Sequence, residues 1–204
     1  MKRICLLVIC AIALVVSVSA QTSELASVTK TPRGFVVVSN EPGNYYTVVI
    51  KGNTITQDPD CPVCLMVDQK PFEMLAVSKK IFLKDPTGLD DMALLLAYKN
   101  WETNRLSDLY DEQFNPTTVW IKLADGNRAV VWNYDKPPRF EGDKEIVSRF
   151  ALATVKGDHL LLMDISVDRN TDSQKTQQFL VDTMNTLRTS DKRMSIEQVR
   201  AVTR

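Results

Sequence analysis

The sequence predicts an α+β fold in which an antiparallel β-sheet carries two main helices packed on it. Runs of β-branched and aromatic residues alternate with short turn sequences, and two longer segments space their apolar residues as helices do. Tight turns join antiparallel neighbours. The predicted order is four strands, a helix, four strands and a second helix (ββββα-ββββα). A sheet covered by helices is the usual way for such elements to bury their apolar faces.

Residues 1–20 predict a cleavable signal peptide. Two basic residues precede an apolar run over residues 4–16, and Val18 and Ala20 suit the positions that a signal peptidase reads. The run is shorter than the roughly 20 residues of a spanning helix, which makes a membrane anchor the weaker alternative. We therefore expect an exported protein, periplasmic or extracellular, with no membrane span in the mature chain.

The mature chain would be nearly neutral. Two of the 25 basic residues lie in the signal peptide, so that 23 remain against 25 acidic residues, a formal charge of −2. This gives no electrostatic reason to bind nucleic acid or an anionic membrane surface. The mature length suits one domain, predicted as a flexible leader over 21–33, a single α+β domain over 34–190 and a polar tail over 191–204.

The first half of the chain predicts four strands and then a helix. The strands are Phe35–Val38, Tyr45–Ile50, Leu65–Val67 and Phe72–Val77. Helical spacing runs from Leu89 to about Glu112, and Thr87 with Asp90 resembles a capping box at its start. The side chains expected to pack this helix on the sheet are Leu94, Tyr98, Trp101 and Leu109.

The second half predicts two hairpins and a closing helix. The four strands are Val119–Ala124, Ala129–Tyr134, Ile146–Val155 and Leu160–Val167. Asp125-Gly126 joins the first pair and is a strong hairpin turn sequence. The helix over Asp172–Leu187 is expected to pack through Leu180, Met184 and Leu187, and one short helix over Ile196–Val202 fits the tail.

The C-terminal third resembles the end of Mog1/PsbP-like proteins. Residues 150–163 read Phe-Ala-Leu-Ala-Thr-Val-Lys-Gly-Asp-His-Leu-Leu-Leu-Met, and Ser166 and a helix ending in Thr186-Leu187-Arg188 follow. That group has a strand, a Gly-Asp or Asp-Gly turn, a strand and a closing helix. The resemblance implies a sandwich of a sheet with helices and a non-catalytic accessory role, and it supplies no catalytic residues.

Cys61 and Cys64, in the sequence Cys-Pro-Val-Cys, form the sharpest local motif. In an oxidising compartment such a pair is most simply a structural disulfide. A redox-active pair is the alternative, although the preceding Asp58 and Asp60 would raise the pKa of a nearby thiol and the following residues predict a strand. Zinc needs four ligands, and the mature chain offers only one His besides this pair. We expect a disulfide, and no metal or cofactor.

Motifs for nucleophilic or nucleotide chemistry are missing from the sequence. His159 is the single histidine, it follows the turn residues Gly157 and Asp158, and no Gly-x-Ser-x-Gly sequence supplies a nucleophile for it. No Rossmann or P-loop glycine pattern occurs. A catalytic role for His159 is therefore not expected, and it is interpreted as a residue of the turn.

Glu102 is a possible tuned carboxylate. Helical spacing places it at or inside the apolar stripe of the first helix, where an unpaired charge would be costly. Arg105, three residues later, is the nearest candidate partner. The alternative is a residue at the rim whose charged end reaches water.

Trp120, Trp132 and Tyr134 are the candidate binding residues. All three lie in the hairpin joined by Asp125-Gly126, among β-branched neighbours. If the face that carries them is open, it forms an apolar patch of the kind that marks binding surfaces. If a helix covers that face, the aromatics are core residues. We predict the binding role.

Together these features predict an exported, non-enzymatic binding or accessory domain whose partner is an unidentified protein or small ligand. The rival prediction is an extracytoplasmic enzyme. It would be either a thiol-disulfide oxidoreductase that uses Cys61 and Cys64, or a carboxylate-based hydrolase whose acidic residues meet only in the fold.

Exported protein should begin at Gln21, directly after the predicted cleavage site. Mass spectrometry of the N-terminal peptide from the exported fraction tests this expectation, since Val18 and Ala20 fix the cut. An intact Met1 in that fraction would contradict it.

Overall fold

The computed structural model describes residues 26–32, 34–42, 44–58, 61–135 and 146–203. Over these residues the chain forms two antiparallel sheets and three α-helices, two of them substantial. The predicted α+β class is thereby confirmed, although strand predominates and the strands divide between two sheets.

The strands are numbered in chain order. They are β1 Ala26–Thr31, β2 Gly34–Glu41, β3 Asn44–Ile50, β4 Ile55–Asp58, β5 Cys61–Val67, β6 Lys70–Ser78, β7 Thr117–Lys122, β8 Arg128–Asp135, β9 Ile146–Lys156, β10 His159–Asp168 and β11 Arg188–Ser190. The helices are α1 Asp91–Tyr110, α2 Ser173–Asn185 and α3 Ile196–Thr203, and a 3₁₀ turn covers Lys79–Ile81.

One sheet has four strands in the order β1-β2-β3-β11, and the other has seven in the order β4-β5-β6-β10-β9-β8-β7. Every pairing is antiparallel. The contacts β6–β10 and β3–β11 each join an N-terminal strand to a C-terminal one. The strands of the two halves of the chain are therefore interleaved.

Six strands precede α1, instead of the predicted four. Strand β1 covers residues that the sequence assigned to a flexible leader, and β4, which was not predicted, pairs with β5. The short helix predicted in the tail over Ile196–Val202 is present as α3. Strand β1 has the sequence Ala-Ser-Val-Thr-Lys-Thr, and it lies at a sheet edge, where polar side chains face water at little cost. Its polarity therefore concealed a strand. The rest of the predicted leader, 21–25, and the predicted signal peptide lie outside the described residues.

The central strands of the seven-stranded sheet are buried on both faces. One face packs against the four-stranded sheet and α2, in a core that includes Val48, Ile50, Leu152, Leu161, Met163, Leu180 and Met184. The other face packs against α1, in a core that includes Leu94, Leu95, Tyr98, Val130, Trp132, Ala153 and Leu162. Helix α3 lies on the outer face of the four-stranded sheet, where Val199 contacts its small apolar cluster.

Helix α1 begins two residues later than predicted. Its N-cap is Asp90, whose Oδ1 accepts a hydrogen bond from the Ala93 N–H at 2.8 Å, while Thr87 binds Asp85 instead. Leu94 and Tyr98 are buried and Trp101 is partly buried, as the predicted stripe requires. The prediction for Leu109 is wrong.

Leu109 is 53% exposed, and Leu106 is the buried leucine of this last part of the helix. The helix packs on β8 and β9. Leu109 lies beside the stripe of buried side chains at the end of the helix, and it therefore faces solvent.

Helix α2 follows the prediction closely. The Asp172 carboxylate caps its N-terminus by accepting hydrogen bonds from the Gln174 and Lys175 N–H groups. Leu180 and Met184 are buried, and so is Leu187, just after the helix ends. The predicted packing of this helix is confirmed.

The free edge of β3 is completed by a side chain. Strand β11 pairs only with Tyr45, Tyr46 and Thr47. Further along, the Thr186 Oγ1 accepts a hydrogen bond from the Val49 N–H at 2.7 Å and lies 3.2 Å from the Val49 carbonyl oxygen. A hydroxyl group thus takes the place that a longer strand would fill.

Trp132→Ala should destabilise the protein by about 3–5 kcal/mol, because the indole is fully buried beneath α1. Trp101→Ala should cost less, about 1–2 kcal/mol, because that ring is only partly buried. Urea denaturation of both variants measures the two losses. Equal losses would contradict the burial described for the two rings.

Candidate functional site

The structure separates the three predicted aromatic residues. Trp132 is 1% exposed, and its ring packs edge-on against Tyr98 with centroids 6.2 Å apart. Tyr134 is partly buried and packs against Phe114 at 5.3 Å. Trp120 is 40% exposed. Trp132 is therefore a core residue, the outcome that the sequence left open, and Trp120 alone presents a large apolar surface to solvent.

Trp120 lies on an edge strand. Strand β7 has β8 as its one neighbour and pairs with it over Thr117–Lys122 without a bulge. The residue beside Trp120, Val119, is 41% exposed on the opposite face of the sheet. Natural edge strands are usually protected by bulges, prolines or short length. The opposite edge, β4, is four residues long and has an irregular register, whereas β7 has neither protection.

The hydrogen-bonding pattern of the hairpin shows which main-chain groups of β7 point outward. The Leu123 N–H donates to the Asn127 carbonyl at 2.9 Å, which makes residues 123 and 127 a hydrogen-bonded pair. In an antiparallel ladder such pairs alternate with pairs that direct their N–H and C=O groups away from each other. Thr118, Trp120 and Lys122 therefore point theirs away from β8.

Helix α1 lies alongside this edge. The Lys99 Nζ is 3.5 Å from the Thr118 Oγ1, and the Arg128 guanidinium lies against the Met92 sulfur. Between those two contacts, Leu96 occupies the same side of the helix and is 44% exposed. Leu96 is therefore at the level of Trp120. We name the following residues the β7 surface: Leu96, Lys99, Thr118, Trp120, Lys122 and Arg128.

A buried ionic cluster lies on the same face of the seven-stranded sheet. Arg149 on β9 donates from Nε to the Asp164 Oδ1 at 2.8 Å and from Nη2 to the Asp164 Oδ2 at 2.6 Å. The Nη2 also donates to the Glu73 Oε2 at 2.8 Å. Side-chain exposure is 7% for Asp164, 15% for Glu73 and 21% for Arg149. We name these three residues the Arg149 cluster.

Two carboxylates share one guanidinium in this cluster, and this affects their protonation. Burial raises the pKa of Asp164 to about 7, and Glu73 adds to the rise, against the attraction of Arg149. Burial alone would lower the pKa of Arg149, but the negative charge of Asp164 holds it well above its usual value. Burial also raises the pKa of Tyr134, which lies beside the cluster.

Glu102 is paired with Arg105, as its position in the stripe suggested. The Arg105 Nε and Nη2 donate to the two Glu102 carboxylate oxygens at 2.9 and 2.8 Å. The guanidinium also lies over the Trp101 ring, 5.8 Å from its centroid. This pairing compensates the charge of Glu102 at the border of the core, while its role as a tuned carboxylate stays a prediction.

Sequence reasoning missed the Arg149 cluster. Its three residues come from β6, β9 and β10, so that no local spacing connects them. One signal was present: Arg149 and Asp164 interrupt two apolar runs that predict strands buried on both faces, where a charge must find a partner. Both oxygens of Asp164 already accept from Arg149, an arrangement suited to holding strands together.

Cys64 is disulfide-bonded, and it lies on β5 directly across from Glu73. The side chain of Cys61 lies outside the described residues, so that its pairing with Cys64 stays a prediction. His159 is partly buried at the start of β10, opposite Lys156 and Ser78.

Two further features of the described residues bear on function. No group of three His, Cys, Asp or Glu side chains there is arranged to hold a metal ion. Helices long and apolar enough to cross a membrane are likewise absent from that part of the chain. A groove of about 240 Å³ lies between α2 and the end of β3 and contains none of the predicted site residues.

Comparison with known proteins yields a likeness in fold. No protein-family model and no curated protein matches the chain. The structure is similar to the solution structure of cyanobacterial PsbP (CyanoP) from Synechocystis sp. PCC 6803, at 12% identity and a TM-score of 0.43, over 85% of this chain and 98% of that one. At this identity and TM-score the likeness transfers no partner or activity. Membership of the Mog1/PsbP-like group stays a prediction.

The Arg149 cluster should make stability depend on pH between about 4 and 7. In the unfolded chain Asp164 releases its proton near pH 3.8, but in the folded protein only near pH 7. The folded state then binds more protons in this window, and the free energy of unfolding falls as the pH rises through it. Relative to Asp164→Asn, the wild type should lose about 1–4 kcal/mol between pH 4 and pH 8.

Urea denaturation at both pH values measures this difference. Asp182→Asn, which changes an exposed carboxylate on α2, is the matched control and should run parallel to the wild type. If the wild type and Asp164→Asn keep a constant difference across the window, the raised pKa is contradicted.

Proposed function

We propose that the protein is a non-enzymatic accessory domain that binds a partner protein through the β7 surface, outside the cytoplasm. The observation that carries this proposal is the exposure of Trp120 on an edge strand that pairs without a bulge. Tryptophan is enriched among the residues that dominate binding energy, because its large, stiff ring buries much area at small entropic cost.

The surroundings of Trp120 support an interface. Leu96 and Val119 are also exposed by more than 40%, one on the helix beside Trp120 and the other on the opposite face of the same strand. A partner that covers this edge would bury all three side chains at once. Removing such apolar area from water contributes about 25 cal/mol per Å².

The enzymatic rival finds less support in the geometry. Cys64 is disulfide-bonded, and it lies within a strand and not in the first turn of a helix, where a thiol would be activated. The carboxylates of Asp164 and Glu73 do come together, but on a shared guanidinium. A hydrolase would need one of them turned toward a substrate.

Site-specific crosslinking tests the proposal. A photoreactive phenylalanine analogue at position 120, introduced into the full-length protein in cells that make it, should yield one dominant crosslinked partner. The same analogue at Ile81, which is 46% exposed on the 3₁₀ turn, is the matched control and should not capture that protein.

Direct binding then decides whether the captured protein is a true partner. The purified partner should bind the wild type, and Trp120→Ala should weaken binding at least about tenfold while leaving the melting temperature nearly unchanged. Ile81→Ala should have no effect on binding. Equal affinity of Trp120→Ala and the wild type would refute the site.

A further inference from the structure

We infer that the partner of the β7 surface is an extended protein segment that adds to the seven-stranded sheet as an antiparallel eighth strand and carries acidic residues on either side of three apolar ones. The inference rests on the proposed function and specifies the mode of binding and the chemistry of the bound segment.

The main chain of β7 supports strand addition. Thr118, Trp120 and Lys122 direct their N–H and C=O groups away from β8, and no strand of the described chain lies on that side. Each of these residues offers one donor and one acceptor to an incoming strand. Strand addition to an exposed edge is a recurring mode of peptide recognition in which main-chain hydrogen bonds supply affinity.

The register of such a strand follows from the pattern of outward groups. Residues of the partner that lie directly across from Thr118, Trp120 and Lys122 form hydrogen bonds with them. Their side chains point to the same face of the sheet as those three, toward α1. Residues across from Val119 and Ile121 point to the opposite face. Five consecutive residues of the partner are thereby each assigned a neighbour on β7.

The neighbours determine the chemistry of the five positions. Across from Trp120, at the level of Leu96, an apolar side chain is buried. Across from Val119 and Ile121, apolar side chains are also favoured, because Val119 is exposed and Ile121 packs at the border of the core. The central three positions of the bound segment are therefore apolar.

Charge determines the two outer positions. The Lys99 ammonium lies beside Thr118, and the Lys122 side chain lies on the same face, next to its cross-strand neighbour Arg128. Carboxylates across from Thr118 and Lys122 would each meet at least one cation, whereas lysines there would be repelled. The segment therefore reads acid, three apolar residues, acid.

The same charges disfavour a second copy of this chain as the occupant. If two copies paired through their β7 strands about Trp120, Thr118 of one copy would lie across from Lys122 of the other. Each Lys122 would then meet the Lys99 that contacts this threonine. Two such like-charged contacts arise by symmetry, and like charges held across strands are destabilising.

Three synthetic peptides test the inference. The first is acetyl-Thr-Glu-Val-Leu-Val-Glu-Thr-amide, the second replaces both Glu by Lys, and the third is the first with its Leu nitrogen methylated. Titration of the full-length chain followed by ¹⁵N NMR should show the first peptide shifting the amide signals of residues 117–122. The second and third should bind at least about tenfold more weakly.

Charge-reversed variants provide the matched control. The double variant Lys99→Glu with Lys122→Glu should reverse the preference and favour the Lys peptide. Lys175→Glu, an exposed lysine on α2, should leave the preference unchanged. Equal binding of the Glu and Lys peptides would overturn the assigned charge, and full binding of the methylated peptide would overturn strand addition.

The remaining outcomes separate this inference from the proposed function. The first peptide could fail to bind at millimolar concentration while binding of the crosslinked partner still depends on Trp120. This result would refute the inference and leave the proposed function standing. Signal shifts confined to another edge, such as Ala26–Thr31, would refute it too. Dimerisation of the free protein that Trp120→Ala abolishes would assign the edge to a second copy.

Discussion

Burial of the β9–β10 pair on both faces is the constraint on which the rest of the fold depends. Residues 150–155 and 160–165 are buried without interruption, so that each of these two strands needs a cover above and below. Helix α1 supplies one cover, and the four-stranded sheet with α2 supplies the other. The outer strands of the larger sheet lose this double cover, and the exposed edge at β7 results from it.

Arg149 and Asp164 are the charged exceptions at this pair, and they also fix its register. Each points toward α1, and Glu73 on the neighbouring β6 points to the same face. A slip of one residue would turn these charges toward the apolar core between the sheets. The ion pairs therefore disfavour misregistered strand pairings, independently of how much they stabilise the correct pairing.

The elements with strong local patterns could be predicted from the sequence, and those formed by tertiary contact could not. Asp125-Gly126 and the spacing of Leu180 and Met184 specify their hairpin and helix locally. Strands β1 and β11 are polar, and each forms by pairing with the edge of a neighbouring apolar strand. Composition alone gives no signal for such strands.

The candidate site was predictable only in part, for the same reason. The sequence identifies Trp120 and Trp132 as large aromatics on the two strands of one hairpin. The position of α1 decides that Trp132 is buried and Trp120 is exposed. The Glu102–Arg105 pair is local and could be anticipated from helical spacing. The Arg149 cluster joins three strands and required the fold itself.

The hydroxyl of Thr186 that completes the edge of β3 also determines when this sheet can be completed during synthesis. Thr186 follows Val49 by 137 residues, and β11 comes directly after it. At a translation rate of about 5–20 residues per second, roughly 7–27 s separate the two. During that interval the hairpin of β2 and β3 has been made, but one of its edges has no partner. The edge of this first sheet therefore stays open until Thr186 and β11 have been made.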